Sequence, residues 1–372
     1  MHIKSLKLRN FRNYENLETE FNKNLNIIFG YNGQGKTNIL EAMYICASGR
    51  SHRTPRDGEL VRHGENGYYI KLEVAKSDGE STIEIIFRNN EKKRVKINDI
   101  PIRKMGSLMG NVNAIIFSPE DFTMIKEGPA ERRRFLDMSI SQIRPSYFYS
   151  LQQYIKILCQ RNALLKEIGR NGKLSDTLEE WNRSLVNEGA KIIKERYNFI
   201  NRLNRFAEGN HYKLTENAER LEIKYMPSVK MDKCDNSGEI EERFLKIIER
   251  SIRNELERCM TLHGPHRDDF EVLLNGNSIR AYGSQGQQRT AILSLKLSEI
   301  EIMKEEAGEY PVLLLDDVLS ELDENRRNYL LRSIKDMQTF LTCTEKNCVN
   351  ANNEIMPHHS FYNVCEGTIK VF

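Results

Sequence analysis

The chain has 372 residues, 39% hydrophobic and 29% charged, with 56 Lys and Arg against 53 Asp and Glu for a formal net charge of +3. That length exceeds one simple core and suits one large or two moderate domains, and no run approaches the roughly 18 apolar residues that span a bilayer. The chain can therefore fold under a wet surface, and its mild positive charge permits nucleic-acid binding without arguing for it.

In chain order, Ile3, Leu6, Leu8 and Phe11 mark a strand broken at Asn10-Phe11-Arg12-Asn13, and Leu25 to Phe29 is a short buried strand that stops at Gly30. Asn38 to Ile45 reads as an amphipathic helix. Tyr68 to Val74 and Thr82 to Phe87 alternate around an Asp78-Gly79 hairpin turn, Val95 to Asn98 follows, and Ala114 to Phe117 ends at Ser118-Pro119. From about Ala130 to Cys259 apolar residues recur at helical spacing, in stripes led by Tyr147, Trp181 and Phe244. The strand pattern returns with Phe270 to Leu274 and the turn Asn275-Gly276. A helix from about Gln285 to Ala307 precedes the apolar strand Val312 to Leu315, and Phe340 to Thr342 is one more strand. A helical block thus interrupts an α/β domain built from both chain ends.

Met1-His2-Ile3-Lys4 runs straight into strand-like sequence with no charged-then-apolar leader, so the expected location is the cytoplasm. The seven scattered cysteines read as reduced thiols. Cys343, Cys348, His358, His359 and Cys365 lack the paired short spacings of a structural zinc site.

Gly30-Tyr31-Asn32-Gly33-Gln34-Gly35-Lys36-Thr37 joins a strand to a helix, the setting in which a GxxxxGKT run cradles phosphates. The glycines let successive N–H groups turn inward, and the helix beginning near Asn38 adds its dipole. The expected ligand is ATP with Mg2+, Lys36 bridging the outer phosphates and the Thr37 hydroxyl on the metal. Asp316 and Asp317 stand where a buried strand emerges, the end at which α/β sheets bind ligands. Asp316 is the expected second metal ligand, and Asp317 the group that positions or deprotonates the attacking water.

Tyr282-Gly283-Ser284-Gln285-Gly286-Gln287-Gln288-Arg289 opens the next helix and resembles the signature motif of ABC-type ATPases. An ordinary helix cap would explain Ser284 on its own. The resemblance implies that Ser284, Gly286 and Gln287 address the terminal phosphate of an ATP held by a second copy. Ser320 to Asp323 resembles the D-loop of the same superfamily, and would equally cap the helix after it.

Asn32 to Ala42 and Leu8 to Tyr14 are similar to the heads of the SMC and Rad50 group. Gly49 to Thr54, Phe117 to Asp121, Arg132 to Asp137 and Gly264 to Asp269 narrow the resemblance to the RecF family of bacterial recombination mediators. It implies an ABC-type head with a mixed sheet from residues 1–125 and 262–372, carrying an inserted, mostly helical lobe of residues 126–261. It implies a slow, DNA-stimulated ATPase that forms an ATP-dependent homodimer on single-stranded, gapped or double-stranded DNA. Such a protein works with RecO and RecR to load RecA, and supports replication restart and SOS induction.

Within that resemblance Arg53 is a candidate for coupling DNA to the nucleotide, with Arg50, Arg132 and Arg133 as further DNA candidates. Arg132 to Arg134 would equally stabilise the lobe through carboxylates such as Asp137. Lys156, Arg161, Lys166, Arg170 and Lys173 add basic groups in the helical block. The region after the last strand has no switch histidine, so a hydroxyl of Thr342 or Thr344 would have to sense the terminal phosphate. Ser118 to Asp121 stands where a Q-loop glutamine is expected. A transporter-type nucleotide-binding subunit would need that histidine and a membrane partner; a structural SMC-like head would need far longer helices.

Overall fold

A computed structural model describes residues 1–171, 177–232, 235–346 and 359–372. The chain divides into two units, one of Met1–Phe122, Lys213–Asn217 and Arg289–Phe372, the other of Thr123–Tyr212 and Ala218–Gln288.

The first unit holds two six-stranded sheets. One is antiparallel, its strands in the order Tyr14–Glu20, His2–Phe11, Gly67–Lys76, Gly79–Arg88, Arg94–Ile97 and Ile100–Pro101. Alternation along it sends Leu6, Leu8, Ile70, Leu72, Ile83 and Ile85 to the core. The other runs Thr368–Val371, His359–Cys365, Leu25–Phe29, Thr339–Cys343, Val312–Asp316 and Ala114–Phe117, all parallel except the first-named strand. Its central strands are buried along almost their whole length, as in a sheet covered on both faces. The hairpin of residues 359–371 is a finding that the sequence reading, which stopped at Thr342, did not anticipate.

The helix Lys36–Ser48 packs against strands of both sheets. It was expected to be amphipathic; instead Lys36 and every residue from Ile39 to Ser48 are buried. A helix with a sheet on two sides has no solvent face to make polar. Gln338 fastens the two sheets together: its side-chain oxygen accepts the Ile3 N–H at 2.6 Å, and its amide nitrogen donates to the carbonyls of Ile3 at 2.8 Å and Asn22 at 2.7 Å.

The second unit is built on the helices Pro129–Ile143, Pro145–Asn171, Leu178–Leu214 and Ser237–Arg258, with a small sheet in the order Asn277–Ser278, Asp269–Leu274, Leu221–Met226. Residues 262–288, assigned by the sequence reading to the head, fall in this unit. The pairing of Asp269–Leu274 with Leu221–Met226 holds them there. The latter strand, lodged between two long helices, was not foreseen.

Arg161, counted above as a basic surface group, is fully buried. It donates to Glu255 at 2.6 Å, Asn182 at 2.7 Å and Thr261 at 2.7 Å, joining three helices to the chain beyond the last. Arg196 is buried likewise among Asp137, Asp268, Tyr147 and the Pro265 carbonyl. Such charges persist inside only when paired.

Four of the cysteines read as reduced, Cys46, Cys159, Cys259 and Cys365, are free, but Cys343 is bonded in a disulfide. Among the described residues no metal-binding cluster occurs, and no helix is long and apolar enough to cross a membrane. Lys173, Cys348 and His358 lie outside the described residues.

Removing one member of a buried pair strands the other. Glu255→Ala should cost about 3–5 kcal/mol, and the double change Arg161→Met with Glu255→Leu should recover most of it. Urea unfolding followed by the fluorescence of Trp181, the sole tryptophan, reads this unit directly.

Candidate functional site

The loop after Leu25–Phe29 turns through left-handed backbone that only glycine enters cheaply. Gly30 has φ 151° and Gly35 φ 114°. Space forbids other residues as firmly: a Cβ on Gly30 would stand 2.3 Å from the Val364 carbonyl oxygen, and one on Gly35 2.6 Å from the Asn13 amide. The loop curls round Lys36, whose ammonium donates to the carbonyls of Gly30 at 2.7 Å and Tyr31 at 3.0 Å. Burial lowers the lysine pKa, opposed by the charges of Asp317 and Asp316.

Sheet register sets the acidic end. Ile28 stands opposite Thr342, and Thr342 opposite Asp316, in one row at the carboxyl edge. Asp316 Oδ1 accepts the Thr37 hydroxyl at 2.9 Å and the Thr342 hydroxyl at 2.6 Å. Burial pushes the Asp316 carboxyl up, against the pull of these two hydroxyls. Thr37 and Asp316 thus offer two hard oxygen ligands side by side, a donor set that fits Mg2+.

The chain then leaves the sheet at Asp317, exposed and left-handed at φ 52°, its N–H donated to Thr342 Oγ1 at 2.9 Å. The Thr342 hydroxyl therefore braces both aspartates, and Thr344 is exposed. The stretch at the Q-loop position is tied into the core instead of presenting an amide. Asp121 caps Ser118 N–H at 2.8 Å and pairs with buried Lys296 at 2.9 Å, which also donates to the Ile116 carbonyl at 2.8 Å.

A second network supports the loop from the side. Glu41 is fully buried in the helix and accepts Arg12 Nε at 2.9 Å and Nη2 at 2.8 Å in a forked pair, and the Ser51 hydroxyl at 2.5 Å. Burial alone would raise its pKa; the hydrogen bonds of Arg12 and Ser51 and the charges of Arg12 and Arg53 outweigh it, and the carboxyl sits below its usual range. Arg53 lies 3.7 Å from Glu41 and donates to Asn38 Oδ1 at 3.2 Å. Asn38 Nδ2 donates to Asn13 Oδ1 at 2.8 Å, and Asn13 Nδ2 to the Gln34 carbonyl at 2.7 Å. A continuous chain of hydrogen bonds so links Arg53 to the phosphate loop. The sequence reading missed Glu41, Asn13 and the bracing role of Thr342. A lone charge inside Ile39-Leu40-Glu41-Ala42-Met43 was the available signal.

Arg50 and Arg53 are exposed. Of the DNA candidates Arg132 and Arg133, the first is not presented to a ligand and the second is half-buried. Arg132 is buried, forked onto Asp269 at 2.6 and 2.9 Å, and bonded to the carbonyls of Met124 and Glu127; Arg133 donates to the Asp268 carbonyl at 2.8 Å. They hold the second unit together, with Asp269 in the place once offered to Asp137.

Ser284, Gly286 and Gln287 belong to the second unit. Ser284 Oγ accepts the Gln287 N–H at 3.2 Å while Gln287 Oε1 accepts the Ser284 N–H at 2.9 Å, a reciprocal cap on the helix Gln285–Ala307. The hydroxyl remains exposed. Asp323 accepts from Arg326 N–H as the cap of Glu324–Ser333.

The RecF/RecN/SMC N terminal domain family matches residues 2–363. The chain is 53% identical over 354 residues to the DNA replication and repair protein RecF of Acetivibrio thermocellus, covering 95% of this chain and 96% of that one. It is 50% identical over 370 residues to its namesake in Ruminiclostridium cellulolyticum, covering 99% of each. A solved structure of the recombination mediator protein RecF with ATP, of the RecFOR pathway, superposes with TM-score 0.93 at 40% identity over 100% of this chain and 97% of that one. The Smc head domain of Pyrococcus furiosus shares the fold, with TM-score 0.56 at 16% identity over 100% of this chain and 96% of that one.

Two substitutions separate the parts of the site. Gly30→Ala should lower ATP affinity by roughly tenfold or more, because strain and the Val364 carbonyl both oppose it. Thr342→Val should leave ATP affinity within about threefold but slow turnover roughly tenfold by unbracing both aspartates. Equilibrium binding of a fluorescent ATP analogue and steady-state phosphate release distinguish the two.

Proposed function

The chain belongs to the RecF family of DNA replication and repair proteins, and on that footing we propose that it is an ATP-dependent DNA-binding homodimer of recombinational repair. Two separate observations carry the reading: Lys36, Thr37 and Asp316 meet at one sheet edge of the first unit, and the second unit offers an exposed, capped Ser284. Neither half alone surrounds a triphosphate. Two copies, each lending its signature to the other's phosphate loop, complete two sites.

In this reading the loop N–H groups from Asn32 to Thr37 and the N-terminus of Lys36–Ser48 hold the phosphates of ATP. Thr37 and Asp316 would hold Mg2+, which supplies neutralisation of charge at the outer phosphates. Lys36 exchanges its loop carbonyls for phosphate oxygens. Ser284 Oγ already accepts one bond from within its own helix, so its proton is left to donate to the partner's terminal phosphate. Asp317, outside the sheet and beside Lys36, positions or deprotonates water; as a short carboxylate it favours slow hydrolysis. ATP thereby acts as the glue of a dimer that hydrolysis releases.

DNA is met through phosphate contacts from exposed arginines, of which Arg50 and Arg53 adjoin the nucleotide. The hydrogen-bonded chain from Arg53 through Asn38 and Asn13 to Gln34 gives a physical route for DNA to stimulate turnover. The assigned work is the loading of RecA by way of RecR and RecO at single-stranded gaps and junctions in the cytoplasm, supporting replication restart and SOS induction.

Ser284→Arg should leave ATP binding to the monomer intact and abolish ATP-dependent dimers in sedimentation velocity; dimers at normal yield would remove the signature from the partner's site. Asp317→Asn should accumulate an ATP-bound dimer and slow phosphate release by roughly a hundredfold, the scale of a lost catalytic base. DNA affinity should fall steeply between about 50 and 200 mM salt; a flat titration would end the phosphate-led reading.

A further inference from the structure

The signature glutamine is a side-chain amide, and an amide can face either way. Gln287 Oε1 accepts the Ser284 N–H at 2.9 Å, and Gln287 Nε2 donates to Glu219 Oε1 at 2.8 Å. An ionised carboxylate only accepts hydrogen bonds. With Glu219 at one end, the amide can therefore turn only its nitrogen toward the carboxylate and its oxygen toward Ser284. Reversed, it would set oxygen against oxygen at Glu219 and donor against donor at Ser284. The other carboxylate oxygen lies 3.3 Å from Nε2 of His211, a fully buried ring near the end of Leu178–Leu214.

We propose that Glu219 is a positioning residue of the signature half-site, fixing the orientation of Gln287 and through it the Ser284 hydroxyl offered to the partner's ATP. The proposal rests on the reading that Ser284 completes a second copy's site. It adds a residue outside the motif, 68 positions before the glutamine it orients. It also gives His211 and the long helix that carries it a hold on that half-site, through side chains of one unit.

The test is ATP-dependent dimerisation of the full chain by sedimentation, with ATP affinity of the monomer and the thermal midpoint measured alongside. Glu219→Ala should weaken dimerisation roughly tenfold, the scale of a lost charge-assisted hydrogen bond, with monomer ATP affinity unchanged. Gln287→Glu should weaken it also, by setting two carboxylates face to face. The exchanged pair Glu219→Gln with Gln287→Glu conserves net charge and volume, and its amide again donates to a carboxylate that accepts the Ser284 N–H. It should return dimerisation to within about threefold of the unaltered protein, a rescue that a merely structural contact at Glu219 would not produce.

Normal dimerisation by Glu219→Ala, or an exchanged pair no better than Gln287→Glu alone, overturns the proposal. If Glu219→Ala fails to fold, the exchanged pair decides it. Normal dimers from Ser284→Arg overturn the underlying reading and this proposal together, whereas loss in Ser284→Arg but not in Glu219→Ala overturns the role of Glu219 alone.

Discussion

A carboxylate with no solvent exposure, in a helix walled by two sheets, must be compensated where it stands, and Glu41 is that carboxylate. Left unpaired, it would cost several kcal/mol. The fork of Arg12 and the hydroxyl of Ser51 remove that cost. In doing so they draw two loops onto one helix. Arg12 comes from the turn between the first two strands, so anchoring it also sets its neighbour Asn13 against Gln34 and Gly35. Ser51 orders the segment carrying Arg53 through the N–H groups of Arg53 and Thr54. The shape of the phosphate loop is thus enforced by a charge that never meets a ligand.

The same economy governs the second unit, where the basic residues that a sequence reader assigns to DNA divide by burial. Arg132 and Arg161 are enclosed by carboxylates and carbonyls of their own unit, as is Arg196, which the sequence did not single out. An arginine at a surface and an arginine in a buried node look alike in a sequence. What tells them apart is the partner carboxylate, Asp269 for Arg132 or Glu255 for Arg161, and those partners are about a hundred or more positions away. Local charge counting has no access to such pairs. The Gly264 to Asp269 stretch is accordingly a structural node as much as a family mark.

Legibility followed the range of the interaction. The phosphate loop, the helix Gln285–Ala307 and the strand Val312–Asp316 were readable because glycine spacing, helical period and apolar runs are local. Asp316 beside Thr37 was inferable from the architecture that those elements imply. The bracing role of Thr342 was not legible, because it depends on the strand order that inserts Thr339–Cys343 between Leu25–Phe29 and Val312–Asp316. The helix Lys36–Ser48 was misjudged as amphipathic because Asn38 and Glu41 look like a polar face, of which Glu41 is in fact fully buried. The strand Leu221–Met226 was passed over because it stands between two long helices, Leu178–Leu214 and Ser237–Arg258, and its pairing partner Asp269–Leu274 lies beyond the second.

The parallel sheet also sets a timetable for synthesis. Its phosphate-loop strand pairs on both sides with strands from the far end of the chain, and Gln338 bonds to Ile3 across 335 residues. At about 5–20 residues per second a ribosome needs roughly 17–67 s to cross that interval. Throughout it Leu25–Phe29 has neither neighbour, and Gly30 has no Val364 carbonyl to close against. An emerging chain must carry the strand Leu25–Phe29 unpaired until Thr339–Cys343 and His359–Cys365 have been made. A fragment ending before Thr339 would carry the glycine-rich motif without either of the strands that flank it.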